Sequence, residues 1–239
     1  MHTTIMTQLH HSMSDMPPEW LQDFARAHLV LSLVAALFVG GDIAAGRRQK
    51  MGVMNFVWPL TALWSGPLGL ILYFWVGRPA PPEVRDREKQ PVTPFPVSVL
   101  KGTLHCGAGC VVGDLAGEWI VFLTGFTIAG SVLWANYAID FALAFSVGIV
   151  FQYFAIAPMR NLSGWPGIKA ALKADSISLI AYEMGMFCWM AYAEQLFHPK
   201  LDPMSPVYWY MMQIAMLAGL FTSYPANWIL LKVGLKETM

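Results

Sequence analysis

Charge is scarce in this chain. Aspartate, glutamate, lysine and arginine make up 13% of its 239 residues and cancel to a formal net charge of zero. The total therefore addresses neither nucleic acid nor an acidic partner, and no nucleic-acid-binding motif appears. Cysteine is scarcer still. Cys106, Cys110 and Cys188 form an odd set, none of them in a loop where a secreted scaffold places its disulfides, and free thiols are expected. Neither C-x-x-C nor C-x-x-C-H occurs, which removes the thioredoxin motif and covalently attached haem. Only His105, and His28 at a segment end, fall inside apolar blocks, so a haem iron has few axial ligands available. Strand-type alternation is missing, as is any repeat that would mark two inverted halves. Met1 to Trp20 is polar and is followed by no small-residue cleavage site, so the first apolar segment is read as retained.

What is abundant is apolar surface, with 56% hydrophobic residues and a mean hydropathy of +0.49. It falls in six blocks, approximately His28 to Ala45, Gly52 to Val76, Val99 to Phe126, Ala135 to Ala157, Asp175 to Phe197 and Val207 to Val233. Each is near the length of about 20 residues that crosses a bilayer, where backbone polar groups must be satisfied within the segment. An all-α, polytopic transmembrane bundle of about six segments in a lipid bilayer is expected. The second segment is either broken or re-entrant, because Pro59, Gly66 and Pro67 interrupt "FVWPLTALWSGPLGL". Two regions follow, a polar His/Met-containing tail over 1–27 and a transmembrane domain over 28–239. Arg78 to Pro96 reads as a proline-rich connector.

Six crossings put both termini on one side. With that side in the cytoplasm, eleven Lys and Arg lie inside against four outside, which predicts both termini in the cytoplasm of a bacterial inner membrane. "GRRQK", Gly46 to Lys50, is the exception to this pattern.

The third block carries the chemistry. Cys106, Cys110, Asp114 and Glu118 recur every fourth residue, and at about 3.6 residues per turn they form one slowly drifting line along a helix. His105 adjoins the first of them. Beside this line run Gly109, Gly113 and Gly117, the small-residue spacing that admits a close neighbour helix, in the same chain or in a second copy. Ionisable groups inside a membrane are expensive unless paired, hydrated or bound to an ion. Thiols beside imidazole suit a soft metal, so His105, Cys106, Cys110, Asp114 and Glu118 are candidate ligands for copper, with zinc as the other choice. Asp140, Asp175, Glu183, Gln152 and Gln213 are candidates for an outer ring or an ion path. By helical rise, Asp114 and Glu183 reach comparable depth and can face each other. Asp42 and Glu194, near segment ends, read as solvated. The tail residues His2, His10, His11, Met6, Met13 and Met16 add a copper-like composition.

Three functions fit these residues: soft-metal transport, handling or sensing; a membrane thiol/disulfide oxidoreductase cycling Cys106 and Cys110; or an accessory subunit that oligomerises through the glycine line. Whether the chain is an enzyme stays open.

Five stretches, "MNFVWPLTALWSGPLGL", "KGTLHCGAGCVVGDLAGEW", "FQYFAIAPMRNLS", "KADSISL" and "SPVYWYMMQIAMLAGLFTSYPANW", resemble an uncharacterised family of bacterial membrane proteins, the domain of unknown function 4396. The resemblance implies a helical membrane fold and an association of some relatives with copper-handling proteins. It implies no defined activity.

Overall fold

The computed structural model describes residues 17–81, 93–197 and 201–237. Residues 1–16, which carry the tail's histidines and methionines, and most of the connector lie outside them; the rest of the region 1–27 enters α1, which begins at Glu19. The described elements are α1 (Glu19–Ala44), α2 (Met54–Ser65), α3 (Pro67–Leu72), a π-helical turn (Tyr73–Gly77), α4 (Phe95–Thr124), α5 (Val132–Arg160), α6 (Gly164–Leu196) and α7 (Pro206–Lys232). No strand occurs among the described residues beyond one isolated bridge, Ile128 with Ser131. Helices α1, α4, α5 and α7 are long and apolar enough to cross a membrane. The 33-residue α6 is as long but more polar, and it packs along α5 and α7. Outward faces are apolar: Val30, Leu33, Val34 and Leu37 of α1 all project from the bundle, a pattern that suits lipid.

The second apolar block folds back on itself. Gly66 turns the chain at φ 58°, a left-handed value that favours glycine, and Pro67 starts the return as the first helical residue. On the way back, Tyr73 packs edge-on against Trp58 with ring centroids 5.7 Å apart, and Gly77 lies against the Trp58 indole, where a Cβ has no room. Entry and exit are tied together. Gln49 Nε2 donates to the Gly77 carbonyl at 2.9 Å, and Arg47 donates to the Pro79 carbonyl at 3.0 Å. The π-helical turn presents Tyr73 and Arg78 to one acceptor: Asp42 receives Tyr73 Oη at 2.7 Å and Arg78 through two nitrogens at 2.9 and 2.8 Å. Asp42 is thus an ion-paired clamp at the hairpin base, not the solvated carboxylate expected. With 12 residues in α2 and about 1.5 Å of rise per residue, the hairpin penetrates about 18 Å, well short of a hydrocarbon core of about 30 Å. The re-entrant alternative is the one the chain adopts.

The tip of the hairpin is pinned at mid-bundle by Gln213 of α7. Its side chain accepts from His28 Nδ1 at 2.8 Å and donates to Ser32 Oγ at 3.0 Å and to the Leu63 carbonyl at 2.9 Å. Gln213 therefore joins α1, α2 and α7.

These contacts set the direction of every helix. The start of α1 meets the start of α7, Phe24 against Tyr210. The ends of α5 and α7 meet through Arg160 and Glu237, and Phe95 at the start of α4 packs on Trp228 near the end of α7. Five long helices and one hairpin leave Glu19 and Lys236 at opposite ends of the bundle. The expectation of both termini on one side came from counting the hairpin as a crossing.

Helices α4 and α5 approach most closely along the glycine line. A Cβ on Gly109 would stand 2.8 Å from Gly148 Cα; one on Gly113 would enter the Ala144 backbone; one on Gly117 would strike the Asp140 carboxylate. The neighbour that this line receives is α5 of the same chain. Gly113→Leu should accordingly lose more than the usual overpacking cost of about 1–3 kcal/mol, since rigid backbone is the obstacle. Gly52→Ala, where a Cβ meets nothing within 4 Å, is the control. Thermal unfolding in detergent should show a large drop in Tm for the first and little change for the second.

Candidate functional site

Helix α4 is buried on nearly every side between Gly102 and Gly113, so its polar line must find partners inside the bundle. It finds them at two levels. The first lies toward the end where α7 finishes. There Gly234 adopts φ 70°, and Leu235 N–H returns to the Leu230 carbonyl at 3.0 Å while Gly234 N–H reaches Leu231 at 3.2 Å. This pairing is a Schellman motif, and it turns the chain back toward the bundle. Two residues on, Lys236 enters the interior. Its ammonium donates to Asp175 Oδ1 at 2.5 Å, to Asn227 Oδ1 at 2.7 Å and to Cys106 Sγ at 3.2 Å. Ser178 Oγ donates to the same Asp175 oxygen at 2.8 Å, and Cys106 Sγ lies 3.2 Å from it. Asn227 also donates to Ser223 Oγ at 3.0 Å. Both charged side chains are fully buried. Burial pulls the Lys236 ammonium down, but the Asp175 carboxylate outweighs it, and the group titrates above an ordinary lysine.

The second level lies deeper, around four carboxyl groups from three helices. Asp114 is within electrostatic reach of Glu183 on α6, Asp140 on α5 and Glu118 on its own helix. Asp140 lies over Gly117, in the space that the missing side chain leaves. Glu118 accepts from Asn136 Nδ2 at 2.7 Å and has Tyr208 and Asp140 beside it. Cys110 faces Glu183. Both oxygens of Asp114, both of Glu183 and Oδ1 of Asp140 are buried without a hydrogen-bond partner. Asp114, Glu183 and Asp140 are 2%, 1% and 3% exposed. Such groups cannot stay ionised at low cost without an opposing charge, so each holds a proton or takes a cation.

The expected facing of Asp114 and Glu183 is therefore present, and Asp140 joins them. Asp175 belongs to the first level and is neutralised by Lys236. His105 lies within electrostatic reach of Asp175 and Lys236 at the first level but makes no hydrogen bond there; its ring leans on Phe151 with centroids 6.1 Å apart, and both nitrogens are buried without partners. Gln152 is likewise buried with an unpartnered amide. The candidate ligands do not converge on one point: among the described residues, no group of three or more His, Cys, Asp or Glu is arranged to hold a metal ion. Where a cation would meet Cys106, the Lys236 ammonium already stands. Lys236, Asn227, Ser178, Ser223, Asn136 and Tyr208 escape a reading of the sequence by charge and spacing. The signal for Lys236 was the glycine at 234, a helix stop that reverses the chain.

Residues 97–236 match the family model described as Domain of unknown function (DUF4396). That is more than half of the chain, which belongs to this family, and the matched region holds both levels of the site. No curated protein and no solved structure matches the chain.

Removing one partner of the first level should expose its energetics. Lys236→Met leaves Asp175 charged and unopposed in the interior, a loss of about 3–5 kcal/mol. Lys236→Met with Asp175→Asn removes both charges and should recover most of it. Melting curves of the two singles and the double form the cycle that checks this, and a double mutant no more stable than Lys236→Met would contradict it.

Proposed function

We propose that this member of the family is a multi-pass membrane protein that passes protons, alone or in exchange for a cation, along the buried seam of α4. One observation carries the reading. From Gly102, beside Lys236, to Glu118, the seam covers about 24 Å of helix at about 1.5 Å per residue, and both oxygens of Asp114 and of Glu183, with one of Asp140, are buried without a hydrogen-bond partner. A carboxyl group hands its proton to a neighbouring carboxylate and becomes the next acceptor, so Asp114, Glu183, Asp140 and Glu118 form a relay in which the charge moves and the atoms stay. The purely structural alternative, interhelical glue, predicts carboxyl groups whose hydrogen bonds are made.

In this reading the re-entrant hairpin supports a cytoplasmic position for the basic end. Arg47, Arg48, Lys50, Arg78, Lys101, Arg160, Lys169, Lys173, Lys232 and Lys236 lie toward one end and Arg26 toward the other, ten against one among the described residues. The basic end goes inside, as in the inner membrane of a bacterium. "GRRQK" stops being an exception once the segment after it returns to the same side. Lys236 is then cytoplasmic, and Glu19 lies at the opposite face. Single cysteines placed at Gly52 and at Gly130 in a Cys188→Ser background should differ in labelling by an impermeant maleimide in intact cells, with Gly130→Cys reactive and Gly52→Cys protected.

Proton movement is measurable in reconstituted vesicles with an internal pH dye under an imposed potential. Wild-type protein should acidify the lumen faster than empty vesicles, and Glu183→Gln or Asp140→Asn should slow it at least tenfold. Equal rates for wild type and empty vesicles would remove the relay.

Soft-metal handling is a second reading, favoured by the two partnerless ring nitrogens of His105, one residue from Cys106. It requires the Lys236 ammonium to leave Cys106 before copper or zinc arrives, because two cations do not share one thiolate at 3.2 Å. Elemental analysis of protein purified without added metal, compared with Cys106→Ser and Cys110→Ser, tests it. Metal content unaffected by both substitutions would eliminate it.

A further inference from the structure

Two places inside the bundle invite a ligand, and they differ in charge. The cavity of about 230 Å³ between the hairpin tip, α4 and α7 has an almost wholly apolar wall, and Asp114 borders it with both oxygens buried. It turns no charge toward a guest. The pocket around Lys236 does. Five acceptors from three helices lie within 3.5 Å of the lysine nitrogen: Asp175 Oδ1 at 2.5 Å, Asn227 Oδ1 at 2.7 Å, Cys106 Sγ at 3.2 Å, Ser178 Oγ at 3.4 Å and the Gly102 carbonyl at 3.5 Å. An ammonium has three protons to donate, so this shell exceeds what a lysine uses. A further oxygen, Asp175 Oδ2, is buried without a hydrogen-bond partner. The acceptors are also fixed from behind. Asn227 Nδ2 donates to the Ser223 carbonyl at 3.1 Å and to Ser223 Oγ at 3.0 Å, which aims its oxygen at the ammonium, and Ser178 Oγ spends its own proton on Asp175.

We propose that this pocket is a site for an alkali-metal cation, potassium in the cytoplasm, and that Lys236 is a tethered occupant which the ion displaces. A surplus of acceptors around one positive charge suits a sphere better than a group with directed protons. The donor types select the ion. Carbonyl, amide and hydroxyl oxygens replace the water shell of a hard cation, whereas copper or zinc calls for a softer set than one thiol among oxygens. Charge selects the valence: Asp175 supplies one negative charge, which a monovalent ion balances and a divalent ion exceeds in a dry interior. Size selects potassium, which is close to an ammonium group in radius, over the smaller sodium.

Lys236 is placed to leave. It follows the Schellman turn at Gly234, beyond the regular part of α7, so its side chain swings out by rotation about a few backbone bonds. The residue after it, Glu237, is held by Arg160 in an exposed ion pair, which contributes little and is screened by salt. A charge on so short a tether acts as an internal competitor at an effective concentration in the millimolar range or above. Only an abundant ion overcomes that, and on the cytoplasmic side potassium is the abundant one. The site stands on the first level of the seam alone and goes beyond the proton relay, since it holds whether or not the deeper carboxyl groups pass protons.

Lys236→Ala vacates the pocket around a charged Asp175. In thermal unfolding of the full chain in detergent, potassium chloride should raise the Tm of this variant by about 3–6 °C at ten times the potassium Kd, relative to N-methylglucamine chloride at the same ionic strength. Lys236→Ala with Asp175→Asn should show no such difference. Wild-type protein supplies a second arm if Lys236→Ala does not fold. Acetylation of Lys236 by a water-soluble succinimidyl ester, quantified by peptide mass spectrometry, should rise at least threefold in potassium over N-methylglucamine, while Lys232, already exposed, stays unchanged. A potassium response that survives Asp175→Asn, a folded Lys236→Ala without a response, or Lys236 acetylation equal in the two salts overturns the assignment. Proton flux enters neither measurement, so its failure in vesicles counts against the relay and leaves this site standing.

Discussion

The rest of the bundle depends on how closely α4 and α5 lie together. Gly109, Gly113 and Gly117 face Gly148, Ala144 and Asp140 in turn, so backbone meets backbone where side chains would hold the helices apart. Helix–helix contact in an apolar surrounding gains little from hydrophobic burial and relies on such packing. The same contact does chemical work at one end. At Gly117 the missing side chain gives the Asp140 carboxylate a place against α4, beside Glu118. A larger residue there would push the acid off the seam as well as the helix away from its neighbour.

With one side of α4 committed to α5, its polar side is left to α6 and α7, and the two levels of the site differ in how charge is answered. Near the basic end, one oxygen of Asp175 meets the Lys236 ammonium, the Ser178 hydroxyl and the Cys106 thiol, while the other is buried without a hydrogen-bond partner. About 12 Å further along, at about 1.5 Å per residue from Cys106 to Asp114, the carboxyl groups meet mostly one another. Like charges drawn that close in a dry interior cannot all be ionised together, so this level is where protonation can change. The hairpin completes it from the other side: Gln213 fixes the tip, and Trp64 next to that tip forms the wall opposite α4.

Much of this was legible in the residues. Helical period alone puts Cys106, Cys110, Asp114 and Glu118 on one line, and rise alone brings Glu183 to the depth of Asp114, because both depend on geometry that every α-helix shares. The break at Gly66 and Pro67 was legible for the same kind of reason: a positive φ and a missing N–H have few uses mid-segment. The direction of the first helix was not, since an even and an odd number of crossings differ by whether one broken segment returns, and composition is blind to that. Nor was Lys236. A lysine beyond the last apolar block defaults to solvent, and only the Schellman turn at Gly234 reverses that default. Asn227, Ser178 and Ser223 are uncharged residues within apolar runs, where nothing in their spacing separates a hydrogen-bond partner from a tolerated polar residue.

The arrangement also bears on how such a seam avoids being an open leak. An uninterrupted file of carboxyl groups from one face to the other would pass protons without control. In the proposed relay the file ends against a fixed positive charge, the Lys236 ammonium held by Asp175, which repels an arriving proton. The ammonium is held by the turn that follows α7, two residues past a glycine hinge and outside the regular helix, so displacing it costs the Asp175 ion pair and the bonds to Asn227 and Cys106 but no unwinding of α7. The barrier at the basic end and the cavity at the hairpin tip are thus on different elements, α7's tail and α2, joined through α7 itself by Asn227 at one end and Gln213 at the other. A shift of α7 that loosens one contact bears directly on the other, which is the minimum connection that alternating exposure of the central carboxyl groups requires.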